Sequence, residues 1–95
     1  MLKRVSNKEV QGPAFSVDVP NIHQVRYIEG SRIAIVEIEG SLNKKDQVEW
    51  VLYKETLQGW QPPYETDEMS SNKRAEILSN INESLNLLTM PHKFI

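Results

Sequence analysis

Two pairs of carboxylates have the spacing closest to that of a general acid and a general base. Glu37 and Glu39 lie two positions apart in a segment rich in β-branched residues, and Asp67 and Glu68 are adjacent just before a helical pattern. Residues two apart on a strand share one face, where paired acids are typical of a solvated surface. Acids before a helix are favoured by its positive end. We therefore expect no catalytic acid–base pair in this chain.

The other residue types predict neither a nucleophile nor a metal centre. His23 and His92 stand near opposite ends of the chain, outside any spacing that places two imidazoles on one metal ion. Cysteine is absent, and the four glycines occur singly, without the pattern of a phosphate-binding loop. The sequence thus predicts no metal, no cofactor and no enzymatic activity.

Trp60 and Tyr64 are the aromatic residues best placed to recognise another molecule. They flank a glutamine and two prolines, which restrict the backbone and so reduce the entropy lost when a side chain contacts a partner. The carboxylates Glu65, Asp67 and Glu68 follow directly. We predict that Trp60, Tyr64, Glu65, Asp67 and Glu68 form a partner-binding patch, in which Trp60 supports the other four. A Trp after a strand also commonly folds over the edge of the core, and for Trp60 this alternative stays open.

Five segments have the residue patterns of strands or helices, and we expect the elements that they form to position this patch. Residues 14–19, 23–28, 32–39 and 48–53 carry the β-branched and aromatic patterns of strands, and a short glycine-containing connection makes the second and third a hairpin. Residues 71–88 place apolar side chains three and four apart, as on one face of a helix. The predicted class is α+β, with an antiparallel sheet of about four strands and one C-terminal amphipathic helix packed on one face.

The 95 residues are enough for one domain with a thin core. We expect residues 13–95 to form that domain, in which residues 92–95 can add a short edge strand. Residues 1–12, which are polar and end at a Gly-Pro pair, are expected to be a flexible arm, with a weak edge strand as the alternative. The net charge of −2 disfavours sequence-independent binding to the phosphates of nucleic acid. No segment is apolar enough to span a membrane. These features predict a cytoplasmic protein that is a monomer or a weak homodimer.

Three features within residues 24–88 resemble one protein family. They are a hairpin with a Glu-Gly turn, the segment WQPPYE at residues 60–65, and Ser70 before a helix that contains Arg74, Ile77 and Ile81. The chain resembles the immunity protein 74 family of bacterial polymorphic toxin systems. The resemblance implies a cytosolic antidote that binds the C-terminal domain of a cognate toxin and neutralises it without catalysis.

Other classes of binding protein fit the same residues. A non-catalytic adaptor or assembly subunit of a phage or secretion system would use a sheet edge or the helix to bind another protein. A weak nucleic-acid binder would use the cations Lys3, Arg4, Lys8, Lys44 and Lys45, and its binding would depend steeply on salt. The gene neighbourhood separates the adaptor from the antidote.

Overall fold

One sheet and one helix make up the computed structural model, which describes residues 1–95. The seven strands follow one another in the sheet in the order of the chain. Strand and helix bounds are β1 (Lys3–Ser6), β2 (Glu9–Gln11), β3 (Ser16–Asn21), β4 (Gln24–Glu29), β5 (Arg32–Leu42), β6 (Val48–Tyr53), a short 3-10 helix (Lys54–Thr56), α1 (Ser71–Leu87) and β7 (His92–Phe94).

The hairpin of β4 and β5 confirms the strongest strand prediction. The two strands pair in antiparallel register from Gln24 opposite Glu37 to Glu29 opposite Arg32. Only Gly30 and Ser31 connect them, and Gly30 adopts a φ of 63°, which a residue without a Cβ atom reaches at little cost. This tight turn places Ser31 and Arg32 at one end of the sheet.

The prediction of about four strands is wrong, because the sheet has seven. Strands β1 and β2 pair with each other and β2 pairs with β3, although Val10 is their only buried residue. Short, polar strands lack the alternation of apolar residues that identifies a strand in a sequence. Both lie in the segment expected to be a flexible arm. Mobility of that arm and a domain boundary at residue 12 stay predictions.

The pairing of β7 departs from the predicted antiparallel sheet. Strands β1 to β6 pair with one another in antiparallel fashion. Strand β7 instead runs parallel to β6, with Trp50 opposite His92 and Leu52 opposite Phe94. The reason is the helix, since α1 carries the chain back along the sheet before β7 begins. The α+β class is confirmed.

Helix α1 covers one face of the sheet, as its apolar spacing predicts. Ile77, Ile81 and Leu85 are fully buried and Leu88 nearly so. They join the alternate residues of the strands that point to the same face, such as Val25, Tyr27, Ala34, Val36, Ile38 and Leu52, in one core. No helix has the length and apolar character needed to cross a bilayer.

Both ends of α1 are capped by the residues around them. The Ser70 hydroxyl accepts a hydrogen bond of 3.1 Å from the Lys73 N–H, which satisfies one free donor of the first turn. At the other end the Met90 N–H donates to the Leu85 carbonyl, and Thr89 adopts a φ of 56°. This is the Schellman arrangement, with threonine where glycine is usual.

Candidate partner-binding site

The predicted patch lies on the connecting loop, residues 57–70, which joins the 3-10 helix to α1. Of the residues of β5, only 37–42 pair with β6. The first half of β5 therefore has no strand beside it on the edge that faces away from β4. The Gln61 N–H donates to the Ile33 carbonyl at 2.7 Å on this edge, and the Glu37 N–H donates to the Thr56 hydroxyl at 2.8 Å. The loop therefore covers the edge that β6 leaves open.

Two consecutive turns give the loop its shape. The Tyr64 N–H donates to the Gln61 carbonyl at 3.0 Å, around a cis peptide bond between Pro62 and Pro63. The Asp67 N–H then donates to the Tyr64 carbonyl, also at 3.0 Å. Each turn reverses the chain, so Tyr64 and Asp67 return to the same side of the loop.

Tyr64 contacts the β4–β5 turn with both its hydroxyl and its ring. Its hydroxyl lies 2.8 Å from the hydroxyl of Ser31, and the guanidinium carbon of Arg32 lies 4.8 Å from the centroid of its ring. An arginine over an aromatic face is attracted by the ring quadrupole. Tyr64 is half-buried as a result.

Asp67 binds the same arginine. The Nε and Nη2 atoms of Arg32 donate to Oδ2 of Asp67 at 3.0 and 2.7 Å. The two side chains are 43% and 42% exposed, so water screens the ion pair and its contribution to stability is small. Its effect is geometric, because one guanidinium holds both Tyr64 and Asp67.

The other three predicted site residues lie apart from this cluster. Trp60 is only 6% exposed and belongs to the same hydrophobic core as Leu57, so it anchors the loop from beneath. Glu65 and Glu68 are exposed and form no ion pair with another residue of the chain. The loop thus offers solvent two carboxylates beside a half-exposed tyrosine.

Sequence reasoning missed Ser31 and Arg32, which complete the site. Both follow Gly30 in the turn that was correctly predicted, but they are more than 30 positions from their loop partners. No local pattern reports a contact between such distant segments. The available signal is chemical, since an arginine at a tight turn is a ready partner for an acidic, aromatic loop.

Close to this turn, a hydrogen-bonded cluster joins α1 to β4. The Tyr27 hydroxyl donates to Glu29 at 3.0 Å, and Lys73 donates to the same carboxylate at 2.8 Å. Burial is the main cause that raises the pKa of Tyr27 to about 12. The hydrogen bond to Glu29, followed by that to Glu76, raises the pKa of Lys73 above its usual range. The cluster fixes the start of α1 against the end of β4.

Of the acids and histidines weighed from the sequence outside the loop, Glu39 and His92 form side-chain hydrogen bonds, in separate parts of the fold. Glu39 accepts a hydrogen bond of 2.5 Å from the Tyr53 hydroxyl, and this bond raises the pKa of Tyr53. The ring nitrogens of His92 lie 2.7 Å from the Met90 carbonyl and 2.7 Å from Oδ1 of Asn82. No group of three or more His, Cys, Asp or Glu side chains is arranged to hold a metal ion.

Residues 21–95 match the family model described as Immunity protein 74. The matched range contains the connecting loop, the β4–β5 turn and α1. It also contains residues 24–88, on which the resemblance rests, and the resemblance is confirmed. No curated protein and no solved structure matches the chain. The chain belongs to the immunity protein 74 family.

Proposed function

We propose that this immunity protein binds the C-terminal domain of a cognate bacterial toxin in the cytoplasm and neutralises it by contact alone. Besides family membership, the proposal is supported by the fixed shape of the connecting loop and the exposure of its carboxylates. Core packing of Trp60 and the contacts of Arg32 hold the loop on the sheet while Glu65 and Glu68 stay exposed. A surface that is ordered before binding loses little entropy when its partner arrives.

The contact residues proposed are Tyr64, Glu65, Asp67 and Glu68, with Trp60 as their support. Tyrosine beside charged groups is typical of a binding surface, because its ring is rigid and its hydroxyl can form hydrogen bonds. The free carboxylates favour a partner with a cationic surface, such as the substrate cleft of a nuclease, and speed its association. The proposal assigns the chain no catalytic step.

The size of the domain is compatible with this role. A standard protein–protein interface buries roughly 800 Å² on each partner. The chain has an accessible surface of 6113 Å², so an interface of that size would cover about an eighth of it.

Calorimetry with the toxin domain encoded beside this gene tests the proposal. The unmodified chain should bind with a one-to-one ratio and nanomolar affinity, and the affinity should fall as salt is added. The variant Glu65→Lys/Glu68→Lys should bind more weakly than the control Glu37→Lys/Glu83→Lys, which makes the same charge change at exposed positions outside the loop.

Two results would contradict the proposal at different levels. An absence of binding to the folded toxin domain would remove the antidote function and favour the adaptor. Equal affinities of the two double variants would keep the function and reject the loop as its site.

A further inference from the structure

The face of the sheet that carries the core continues beyond the end of α1. Ile38, Gly40 and Leu42 of β5 lie opposite Leu52, Trp50 and Val48 of β6, and all six side-chain positions are on this one face. Ile38 and Leu52 are buried, whereas Leu42 is 67% and Val48 51% exposed. The apolar ladder of the hairpin thus leaves the core and reaches solvent.

A cavity adjoins the exposed part of this ladder. It has a volume of about 280 Å³, and its apolar lining comes from Val19, Ile22, Trp50 and Met90. Ile22 is 64% exposed, and Trp50 packs on Gly40, where an added Cβ atom would lie 3.3 Å from the indole. We call Ile22, Leu42, Val48, Trp50 and Met90 the apolar end surface. Contiguous exposed apolar residues of this kind mark sites of interaction.

Three lysines lie beside the apolar end surface. Lys8 lines the cavity, and Lys44 and Lys45 lie at the tip of the β5–β6 hairpin, where Asn43 separates them from Leu42. Asn43 fixes that tip, since its side-chain oxygen accepts hydrogen bonds from the N–H groups of Lys45 and Gln47 at 2.8 and 3.1 Å. Asp46 is the one carboxylate of the tip. The border of the apolar end surface therefore carries net positive charge, and hydrogen bonds fix the backbone of the hairpin tip.

We propose that the apolar end surface binds an apolar segment of the toxin domain that is flanked by carboxylates. The inference rests on the proposed function. Charge complementarity with the three lysines selects an acidic flank. The cavity lies just below the range of about 300–1,000 Å³ typical of small-molecule sites, so it fits an inserted side chain better than a free ligand.

This surface and the connecting loop lie at opposite ends of β5. Arg32 at the start of the strand holds the loop, and Leu42 at its end belongs to the apolar end surface, roughly 33 Å away for an 11-residue strand. Charged residues at the edge of an interface mainly govern association, whereas buried apolar contacts mainly govern dissociation. The loop therefore steers the toxin, and the apolar end surface retains it.

Surface plasmon resonance with the full chain and the neighbouring toxin domain tests the inference. Leu42→Lys, at a position largely exposed in the fold, should weaken binding by about tenfold or more, chiefly through faster dissociation. Ile95→Lys is the matched control, because Ile95 is 57% exposed and lies elsewhere, and it should leave the affinity unchanged. Lys44→Glu/Lys45→Glu should also weaken binding, in contrast to the control Lys3→Glu/Lys54→Glu.

The outcomes separate this inference from the function on which it rests. Binding by the unmodified chain with equal dissociation rates for Leu42→Lys and Ile95→Lys would overturn the inference and leave the antidote function intact. No binding by the unmodified chain would overturn both. Sedimentation adds a third result, because a dimer that Leu42→Lys converts to a monomer without loss of toxin affinity would identify a second copy of the chain as the occupant.

Discussion

The guanidinium of Arg32 lies 4.8 Å from the centroid of the Tyr64 ring and also donates two hydrogen bonds to Asp67. A single residue of the β4–β5 turn thus fixes both ends of the second turn of the connecting loop. Lysine could not replace it, because only a planar guanidinium stacks on a ring while two of its nitrogens reach one carboxylate. The shape of the candidate site therefore depends on a residue outside the loop.

Replacing this arginine tests that dependence. Arg32→Met keeps an apolar stem of similar length but removes the charge, so the loop should open while the fold remains. We expect a loss of stability of roughly 1 kcal/mol or less, since the ion pair is half-exposed. Hydrogen exchange of the Tyr64 and Asp67 amides should become faster.

Arg26→Met provides the control for this exchange experiment. Arg26 also pairs with an aspartate, Asp18, but on the neighbouring strands β4 and β3. Its replacement should leave the loop amides protected. Equal protection of the Tyr64 amide in the unmodified chain and in Arg32→Met would show that the loop keeps its shape without Arg32, through the core packing of Trp60 and the hydrogen bonds of Gln61 and Tyr64.

The leucines of α1 offer a test of the core. Leu85 is fully buried and Leu87 is 38% exposed, two positions away on the same helix. Leu85→Ala should lower the free energy of unfolding by about 2–5 kcal/mol, and Leu87→Ala by less than about 1 kcal/mol. Urea unfolding of both variants measures the difference. Similar losses would contradict the face assigned to the helix.

Alkaline pH should destabilise the fold through Tyr27. Its pKa is about 12 in the folded chain, above the ordinary value near 10, so the unfolded chain loses the phenolic proton first. The contribution of Tyr27 to the free energy of unfolding is therefore complete below about pH 10 and is lost as the pH rises toward 12. The raised pKa of Lys73 acts in the same direction.

Urea unfolding between pH 8 and 11.5 measures this effect. Tyr27→Phe removes the titrating group, so its stability should fall less steeply above pH 10 than that of the unmodified chain. Its stability at neutral pH should be lower, since the hydrogen bond to Glu29 is lost. Parallel curves for the two proteins above pH 10 would contradict the role of Tyr27.

The turn after α1 carries an unfavourable residue. Thr89 adopts a φ of 56°, where a β-branched side chain is strained. Thr89→Gly should raise the free energy of unfolding by about 1 kcal/mol. Gly30→Ala is the reciprocal change at a φ of 63°, and it should lower stability by a similar amount. Thermal unfolding that shifts in the same direction for both variants would contradict this account.

The sequence predicted those elements whose own residues carry a pattern. The β4–β5 hairpin has β-branched strands around a glycine turn, and α1 has a continuous apolar face with Ser70 before it. Strand β2 buries one residue, Val10, and β7 has three residues, so pairing with neighbours defines them more than their composition does. The sequence therefore offered short edge strands at both ends of the chain only as alternatives, and their pairing partners become visible only when the whole sheet is known.

The candidate site shows the same limit. Trp60 and Tyr64 stood out because they flank a restricted segment, and the burial of Trp60 agrees with the alternative that it folds onto the core. The contact of Tyr64 with Arg32 joins residues far apart in the chain, and no periodicity encodes it. Binding of a partner by these residues stays a prediction.

Strand β7 changes the backbone edge that the sheet presents to solvent. The Trp50 N–H donates to the Pro91 carbonyl, and the Ile95 N–H donates to the Leu52 carbonyl, so β7 covers the outer edge of β6. Without residues 91–95, β6 would be the edge strand of the sheet. Its unpaired backbone N–H and carbonyl groups would lie beside exposed Val48 and half-buried Trp50. Such an edge recruits strands from other molecules and leads to aggregation. Residues 91–95 thus replace the six-residue edge of β6 with the three-residue edge of β7, and natural proteins limit edge-to-edge pairing with such short edge strands.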